Sequence, residues 1–431
     1  MNYLLDWILI LSSTWITYKV YNQIIFKRHC SVAFYVIIVQ YIFCCLPIAL
    51  NYLMGIPKYT AVYWYRVFLS SMNDPGVAVV YDLYMLVSIF ALYIYGKKAS
   101  KKLLKKSSKE AATINRDIEN KYIYLLIVFL PLIYVVLTGN FSKLFTYTLL
   151  AKRGITRNES LILNALILLS IYCLCIYVFS GQITKRKTAL LIAVSISLAW
   201  MQGKRFIVAV MAIFYLFFFT KSNISEKARN RLAKVLPIGG ILLVVFSGAY
   251  FVIVRHLSDM GFQTVYDMLR VDFGRDDVIK YVIQQEFFLN KHILDYPCQS
   301  FFSTMFVFIP RFIWPSKPFS HYQYLTSSIL GVPIQKLGVG TTPCWYEMCL
   351  CNFGYLGFII AVFGHLLFCK LADNMKQVKS KSLMFMFILV LLTQNTDVYI
   401  VYIFLIFVYW FIEHTKHKKI VIGHRNKRPY V

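Results

Sequence analysis

The sequence predicts an all-α polytopic membrane protein with about eleven transmembrane helices. Hydrophobic residues make up 59% of the 431 residues, charged residues only 15%, and the mean hydropathy is +0.60. Apolar runs of roughly 17–22 residues, long enough to cross a bilayer, recur along the chain and are separated by short basic clusters. A soluble domain carries about 25% charged residues, so a soluble enzyme and a disordered scaffold are both excluded.

The apolar runs define the predicted transmembrane helices. The first run lacks a basic n-region and an A-x-A cleavage site, so we expect it to remain as an anchor. The last two runs are short, which favours a tight hairpin or a tilt. The predicted spans lie near residues 3–20, 32–54, 76–95, 121–138, 160–180, 188–202, 206–220, 235–254, 353–371, 383–396 and 398–412.

The distribution of Lys and Arg predicts the orientation. If the spans alternate, the dense basic connectors, such as residues 97–109 and 221–234, all fall on one face. Of the 46 Lys and Arg and the 19 Asp and Glu, this face carries 30 and 6, and the rest of the chain keeps 16 and 13. A net charge of +24 against +3 makes this face cytoplasmic by the positive-inside rule. We therefore expect the N-terminus outside, the C-terminus inside, and no nucleic-acid binding despite the overall charge of +27.

Two outer segments, residues 139–159 and 255–352, are too long to be simple turns, so we expect the chemistry at the outer face.

The chain is accordingly divided into four parts. They are residues 1–254 with helices 1 to 8, residues 255–352 as a large extracytoplasmic loop with amphipathic and re-entrant elements, residues 353–412 with the last three helices, and residues 413–431 as a basic cytoplasmic tail.

Residues 262–295 place charges among apolar positions at helical spacing, which predicts one or two amphipathic helices lying on the membrane surface. The charges there include Arg270, Asp272 and Arg275. They are either functional or part of a solvated face with pairs four residues apart, as Asp276 and Lys280 would be.

A short apolar stretch followed by three prolines covers residues 303–318. It predicts a re-entrant or interfacial element that ends in a stiff turn, with Trp314 at headgroup level. This frame would hold Arg311 and Lys317 at the membrane surface, where a guanidinium matches phosphate oxygens. The alternative is a structural loop whose cations meet lipid headgroups.

The following segment, Gly-Val-Gly-Thr-Thr-Pro at 338–343, could bring the backbone close to a phosphate, although G-x-G alone is a weak signal. Glu347 comes next, at a predicted helix start, either as a base or as a carboxylate favoured by the helix dipole. Lys204 and Arg205 form an outer turn, where they either bind phosphate or extend to headgroups. Asp82 and Asp397 lie within spans and indicate either a function or helix pairing.

Several patterns are absent from the full sequence. It has no Walker A, HExxH, GxSxG or D-x-D motif, and its ten Cys include no CxxC. Cys298 and Cys344 could pair, but nothing requires it. The lack of D-x-D argues against a nucleotide-sugar transferase that uses a bound metal, and we expect no cofactor.

These features together resemble the O-antigen (oligosaccharide repeat-unit) polymerase family, the Wzy type. The resemblance rests on the many spans, the late outer loop and the order of four motifs: G-K-R at 203–205, R-V-D-F-G-R-D-D at 270–277, I-P-R-F-I-W-P-S-K-P at 309–318, and the Gly-Thr-Thr-Pro…Glu…Asn-Phe-Gly-Tyr-Leu-Gly stretch at 340–357. The third motif is the strongest part.

The resemblance implies a type-C glycosyltransferase-like fold and the growth of a surface polysaccharide outside the cytoplasmic membrane. The growing glycan would move from undecaprenyl diphosphate to the sugar of a new lipid-linked repeat unit. The implied partners are this lipid-linked oligosaccharide, a chain-length regulator and a flippase, with no metal needed.

The chemistry of such a transfer requires two kinds of residue. Cations must stabilise the charge that grows on the leaving diphosphate, and a base must take the proton of the acceptor hydroxyl. The cation candidates are Lys204, Arg205, Arg270, Arg275, Arg311 and Lys317. The base candidates are His256, Asp272, His321 and Glu347.

Two other functions stay open on the sequence. An O-antigen ligase would share the fold and the donor but use another acceptor. A lipid-linked oligosaccharide flippase would bind the same diphosphate without chemistry. The long outer loop argues against a flippase, whose charges would line a central cavity within the spans.

Overall fold

The computed structural model describes residues 2–27, 30–60, 62–110, 121–139, 157–179, 184–202, 206–221, 226–227, 229–236, 238, 262–306, 309–337, 340–375, 378–393 and 402–408. Helices and loops make up these ranges, and no strand occurs in them. The all-α fold class is therefore confirmed for the described part of the chain.

The first half contains helices α1 (Asn2–Phe26), α2 (Val32–Gln40), α3 (Leu46–Met54), α4 (Phe68–Met72), α5 (Pro75–Glu110), α6 (Lys121–Val128), α7 (Leu130–Leu137), α8 (Arg157–Phe179), α9 (Lys185–Gln202) and α10 (Phe206–Lys221). The second half contains α11 (Phe262–Phe273), α12 (Asp276–Ile283), α13 (Gln299–Met305), α14 (His321–Leu330), α15 (Trp345–Phe353), α16 (Leu356–Asn374) and α17 (Val378–Thr393). A π-helical turn at Tyr41–Cys45 joins α2 to α3, and another at Gln284–Phe288 extends α12.

Four helical segments of the described chain are long and apolar enough to cross a membrane: Val32–Met54, Pro75–Leu104, Ile162–Phe179 and Leu356–Asn374. All four coincide with predicted spans. The run predicted at 121–138 is instead divided into α6 and α7, with Pro131 in the first turn of α7. Most of the span predicted at 235–254 lies outside the described residues, as does the tail at 413–431.

Three helices meet at the predicted cytoplasmic face around Asp373, at the end of α16. Its carboxylate accepts hydrogen bonds from the Ser31 hydroxyl, from the Val32 backbone N–H at 3.0 Å, and from the Tyr95 hydroxyl at 3.2 Å. A carboxylate at the first turn of α2 also favours that helix through its dipole. One side chain therefore ties α2, α5 and α16 together.

The amphipathic helices predicted in the outer segment exist as α11 and α12, and α12 packs inside the protein rather than at its surface. Every residue of α12 is buried, and the backbone N–H of Arg275 donates to the carbonyl of Phe43 at 2.9 Å. Phe43 lies in the π-helical turn at the middle of Val32–Met54. Because a π turn interrupts the regular hydrogen-bond ladder, it leaves carbonyls available to other segments. The outer segment therefore inserts between the long apolar helices.

The helix α15 at the end of the outer segment folds back along α16. Gly354 turns the chain with a φ of +56°, and a Cβ on Gly357 would lie 2.4 Å from the carbonyl oxygen of Cys349. Further along, the Trp345 indole N–H donates to the carbonyl of Ala361 at 2.9 Å. With a rise of about 1.5 Å per residue, the Ala361 carbonyl that Trp345 contacts lies roughly 8 Å along α16 from the first residue of α16. The start of α15 is thus held beside the apolar body of α16.

Candidate active site

Two of the four base candidates come together in the structure. His321 is the first residue of α14, and its Nε2 lies 3.8 Å from Oε1 of Glu347. Both side chains are fully buried. Among the described residues, His321 Nδ1, His321 Nε2 and Glu347 Oε2 find no hydrogen-bond partner. Buried polar atoms are usually satisfied, so an unsatisfied buried pair marks a candidate functional site.

Local capping sets the position of each member of the pair. Ser320 caps α14 in a capping box with Gln323, which fixes His321 at the helix start. Glu347 is the third residue of α15, and its Oε1 accepts the backbone N–H of Cys344 at 2.5 Å. Oε1 of Glu347 is therefore used by the helix cap, and Oε2 is the oxygen that has no hydrogen-bond partner.

Burial shifts both pKa values away from their ordinary ranges. It raises the pKa of Glu347 to about 7, although hydrogen bonds from Cys344 and the charge of Arg275 oppose the rise. It lowers the pKa of His321 to about 3, so this imidazole is neutral at physiological pH. A carboxyl group with a pKa near the working pH can both accept and release a proton, as a general base must.

Arg275 lies near this pair and is itself buried. One of its guanidinium nitrogens, Nη1, donates to the carbonyl of Gly274 at 2.7 Å and to that of Asp272 at 3.3 Å. The guanidinium also lies 5.4 Å from the ring centre of Phe43. Asp272, the third base candidate, is half-buried, and its backbone carbonyl takes part in holding Arg275.

Arg270 is committed to a structural ion pair, which differs from its predicted role at a diphosphate. Its Nη1 and Nη2 donate to the two carboxylate oxygens of Asp276 at 2.9 and 2.8 Å, with both side chains buried. The alternative in which Asp276 pairs with Lys280 on a solvated face is wrong, because Asp276 is fully buried and pairs with Arg270. Beside the pair, the hydroxyl of Tyr59 donates to Asp277, whose pKa is raised to about 6 by burial and then by Asp276.

Arg311 and Lys317 lie in the Pro-rich segment, as predicted, and contact carbonyls of that segment. Arg311 is exposed, with its guanidinium 3.8 Å from the ring centre of Phe319 and long hydrogen bonds of 3.4 and 3.3 Å to the carbonyls of Pro315 and Pro318. The ammonium of Lys317 donates to the carbonyl of Ile309 at 2.8 Å. Phe319, which Arg311 contacts, is only two residues before His321. The same short segment therefore carries the exposed guanidinium of Arg311 and the buried imidazole of His321.

Three predicted site residues, Lys204, Arg205 and His256, lie outside the described residues, as does Asp397. The described residues also include polar side chains that we did not predict. His365 in α16 is buried, with Nδ1 3.2 Å from the Tyr346 hydroxyl, which in turn lies 2.5 Å from that of Ser88. A single histidine inside an apolar run is the signal that could have identified His365 from the sequence.

Within the described ranges, no group of three or more His, Cys, Asp and Glu side chains could hold a metal ion. The ten cysteines, Cys298 and Cys344 among them, are free thiols. No protein-family model, no curated protein and no solved structure matches this chain.

Proposed function

We propose that this protein polymerises a surface polysaccharide at the outer face of a cytoplasmic membrane, through about eleven transmembrane helices in a type-C glycosyltransferase-like fold. The donor is a growing glycan on undecaprenyl diphosphate, and the acceptor is a new lipid-linked repeat unit. The N-terminus lies outside and the C-terminus in the cytoplasm. Support comes from the apolar helices, the charge split along the chain and the motif order at 203–357.

The proposed reaction exchanges one bond for another at the anomeric carbon of the donor glycan. The bond from this carbon to the diphosphate oxygen breaks, and undecaprenyl diphosphate leaves. A hydroxyl of the acceptor sugar forms the new glycosidic bond and gives its proton to the Glu347 carboxylate. Cations, Arg311 first among them, stabilise the charge that grows on the leaving diphosphate.

The observation that carries this proposal is the buried His321–Glu347 pair, whose histidine follows Arg311 by ten residues in the chain. The pair supplies a proton acceptor of suitable pKa, and Arg311 supplies an exposed guanidinium; this transfer requires both kinds of group. Because both members of the pair are buried, the start of α14 must separate from α15 before a sugar hydroxyl reaches Glu347.

A flippase is the second candidate, because the charges of α11 and α12 lie at the depth of the apolar helices, where a flippase would need them. Those charges are largely buried, and Arg270 and Asp276 pair with each other, which favours a structural role for them. A ligase would differ from the polymerase only in its acceptor.

Deleting the gene separates the three functions. Loss of a polymerase leaves single repeat units on the surface lipid, and loss of a flippase leaves no units there. Loss of a ligase leaves long polymer that is still attached to undecaprenyl diphosphate. The measurement is a gel of surface glycans from the deletion strain and from the strain carrying the gene on a plasmid. Normal long chains in the deletion strain would contradict the polymerase proposal.

A further inference from the structure

Two acidic side chains meet where α1 packs against α5. Asp82 lies about two turns into α5 and is fully buried, and Asp6 lies in the second turn of α1. Their carboxyl groups are within hydrogen-bonding reach of each other. The reaction proposed above makes no use of Asp82, although an acidic residue within a predicted span indicates a function or a partner helix. The Asp6–Asp82 pair supplies that partner.

The pair has too few hydrogen-bond donors for two ionised carboxylates. The Tyr52 hydroxyl donates to Oδ2 of Asp6 at 2.5 Å. Within the described ranges, Oδ1 of Asp6 and both carboxyl oxygens of Asp82 have no hydrogen-bond partner. An ionised carboxylate only accepts hydrogen bonds, so the contact between Asp6 and Asp82 becomes a hydrogen bond only when one of them carries a proton. Two ionised carboxylates would instead repel each other in a buried place without donors.

The surroundings supply one positive charge for the two carboxyl groups. The Lys280 ammonium on α12 acts electrostatically on Asp82 and lies 5.1 Å from the ring centre of Tyr81. It makes no ion pair among the described side chains. The Cys45 thiol and the Tyr81 phenol also lie near Asp82 and supply no positive charge. One ammonium balances one carboxylate, so a proton on the other leaves the buried cluster neutral.

A proton fits the unpartnered oxygens better than a metal ion does. A Ca²⁺ ion takes about six to eight oxygen ligands, and a Mg²⁺ ion needs a nearly ideal octahedron. Among the described atoms the Asp6–Asp82 pair offers three unpartnered oxygens. A shared proton needs only one oxygen from each carboxyl group.

We infer that Asp6 and Asp82 share one exchangeable proton and form a pH-responsive joint between α1 and α5. With the proton in place, the two carboxyl groups hydrogen-bond across the helix interface. When the proton leaves, two negative charges lie side by side, and α1 is repelled from α5. Lys280 belongs to α12, so the charge of the pair also acts on the outer segment.

Dicyclohexylcarbodiimide tests this inference, because it adds to protonated carboxyl groups and forms a stable N-acylurea in apolar surroundings. The full-length protein in nanodiscs of phosphatidylglycerol is treated at neutral pH, and peptide mass spectrometry locates the adducts. We expect an adduct on Asp82 or Asp6 in at least tenfold greater yield than on Asp373. Asp373 is the internal control, since it is also buried but accepts three hydrogen bonds. A yield at the pair no greater than at Asp373 would overturn the inference.

Single asparagine substitutions test whether the proton is shared. In Asp82→Asn and in Asp6→Asn, the new amide N–H takes the place of the proton and donates to the remaining carboxylate. Each variant should therefore fold, and its remaining carboxyl group should lose labelling about tenfold. Asp74→Asn keeps an N-cap for α5 and is the control, with labelling of the pair within twofold of wild type. Undiminished labelling of the remaining carboxyl group would show a proton held by one residue alone and overturn the shared site.

Thermal unfolding measures the joint itself. Removal of the proton places two like charges together, so the melting temperature of the wild type should fall more steeply between about pH 6 and about pH 9 than that of Asp82→Asn. Equal slopes for the two proteins would contradict the inference. Neither measurement requires a glycan substrate, so both outcomes are independent of the proposed polymerase.

Discussion

The imidazole of His321 and the carboxylate of Glu347 face each other in a fully buried site at 3.8 Å, beyond hydrogen-bond length. Neither group therefore satisfies the other. Each unsatisfied buried polar group costs roughly 1–3 kcal/mol of stability. Under the proposed function, these unsatisfied groups serve the reaction and lower the stability of the fold.

Replacing the imidazole should consequently stabilise the protein while reducing its activity. We expect His321→Leu to raise the free energy of unfolding by about 1–3 kcal/mol and to shorten the polymer. Thermal unfolding of the purified protein and a glycan gel measure the two effects. Gln323→Leu is the control, since it removes one half of the capping box in the same helix and should destabilise by about 1 kcal/mol. A lower melting temperature for His321→Leu would show that the imidazole has a structural role.

The raised pKa of Glu347 predicts the pH dependence of polymerisation. The base must be ionised, and with a pKa of about 7 its ionised fraction rises from about a tenth at pH 6 to about nine tenths at pH 8. The initial rate in membrane vesicles should rise over that window. The same shift makes folding less favourable as pH rises from the unfolded pKa to about 7, because the folded state holds this proton more tightly. A rate independent of pH between 6 and 8 would argue against Glu347 as the base.

Arg311 is the exposed cation whose loss should affect the transfer most. Arg311→Ala should abolish chain growth, a loss of roughly 3–4 kcal/mol or about a hundred- to a thousandfold in rate. Arg311→Lys keeps the charge over Phe319 but offers no planar fork, so it should restore growth only in part. Lys336→Ala removes another exposed cation of the same outer segment and is the control.

The test for Arg311 is the chain-length distribution of each variant at matched membrane levels. Wild-type chains from Arg311→Ala would show that its contacts with Pro315 and Pro318 are structural, and would leave Arg205 and Arg275 as the cations to examine.

Opening of α14 away from the following segment should be required for activity. The hydroxyl oxygens of Thr326 and Thr341 lie 2.9 Å apart, and the Thr341 N–H donates to Thr326 at 3.0 Å. Cysteines at both positions, in a protein without its native cysteines, are close enough for a disulfide. We expect the oxidised double variant to be inactive and reduction to restore it, with Thr326→Cys alone as the control. Full activity of the oxidised form would exclude this movement.

The sequence was sufficient to predict the helical fold, the positions of the four long apolar helices and the presence of α11 and α12. It could not predict where α12 lies, because periodicity shows that one face is apolar but does not show what covers the other. Arg270 and Asp276 carry charges typical of a solvated face, yet they satisfy each other in a buried bidentate pair. The π-helical turn at Tyr41–Cys45, which provides the carbonyl for Arg275, leaves no recognisable pattern in the sequence.

The candidate site was predicted only in part, for a similar reason. His321 and Glu347 are each recognisable as titratable residues in an outer segment, but 26 positions separate them. Their contact depends on the path of α15 back along α16, which glycines 354 and 357 permit through a tight turn. Tyr346 and His365 could not be associated with the site before that turn was known.

The most direct test of the central claim is the chain length of the surface glycan made by Glu347→Gln in the deletion strain. Glutamine can still accept the Cys344 N–H, so the cap of α15 is kept while the base is removed. Asp295→Asn, an exposed acid in the same outer segment, is the control. With equal amounts of protein in the membrane, we expect Glu347→Gln to slow transfer by about a hundredfold or more and to leave mainly single repeat units. Wild-type chain lengths from Glu347→Gln would contradict its assignment as the base.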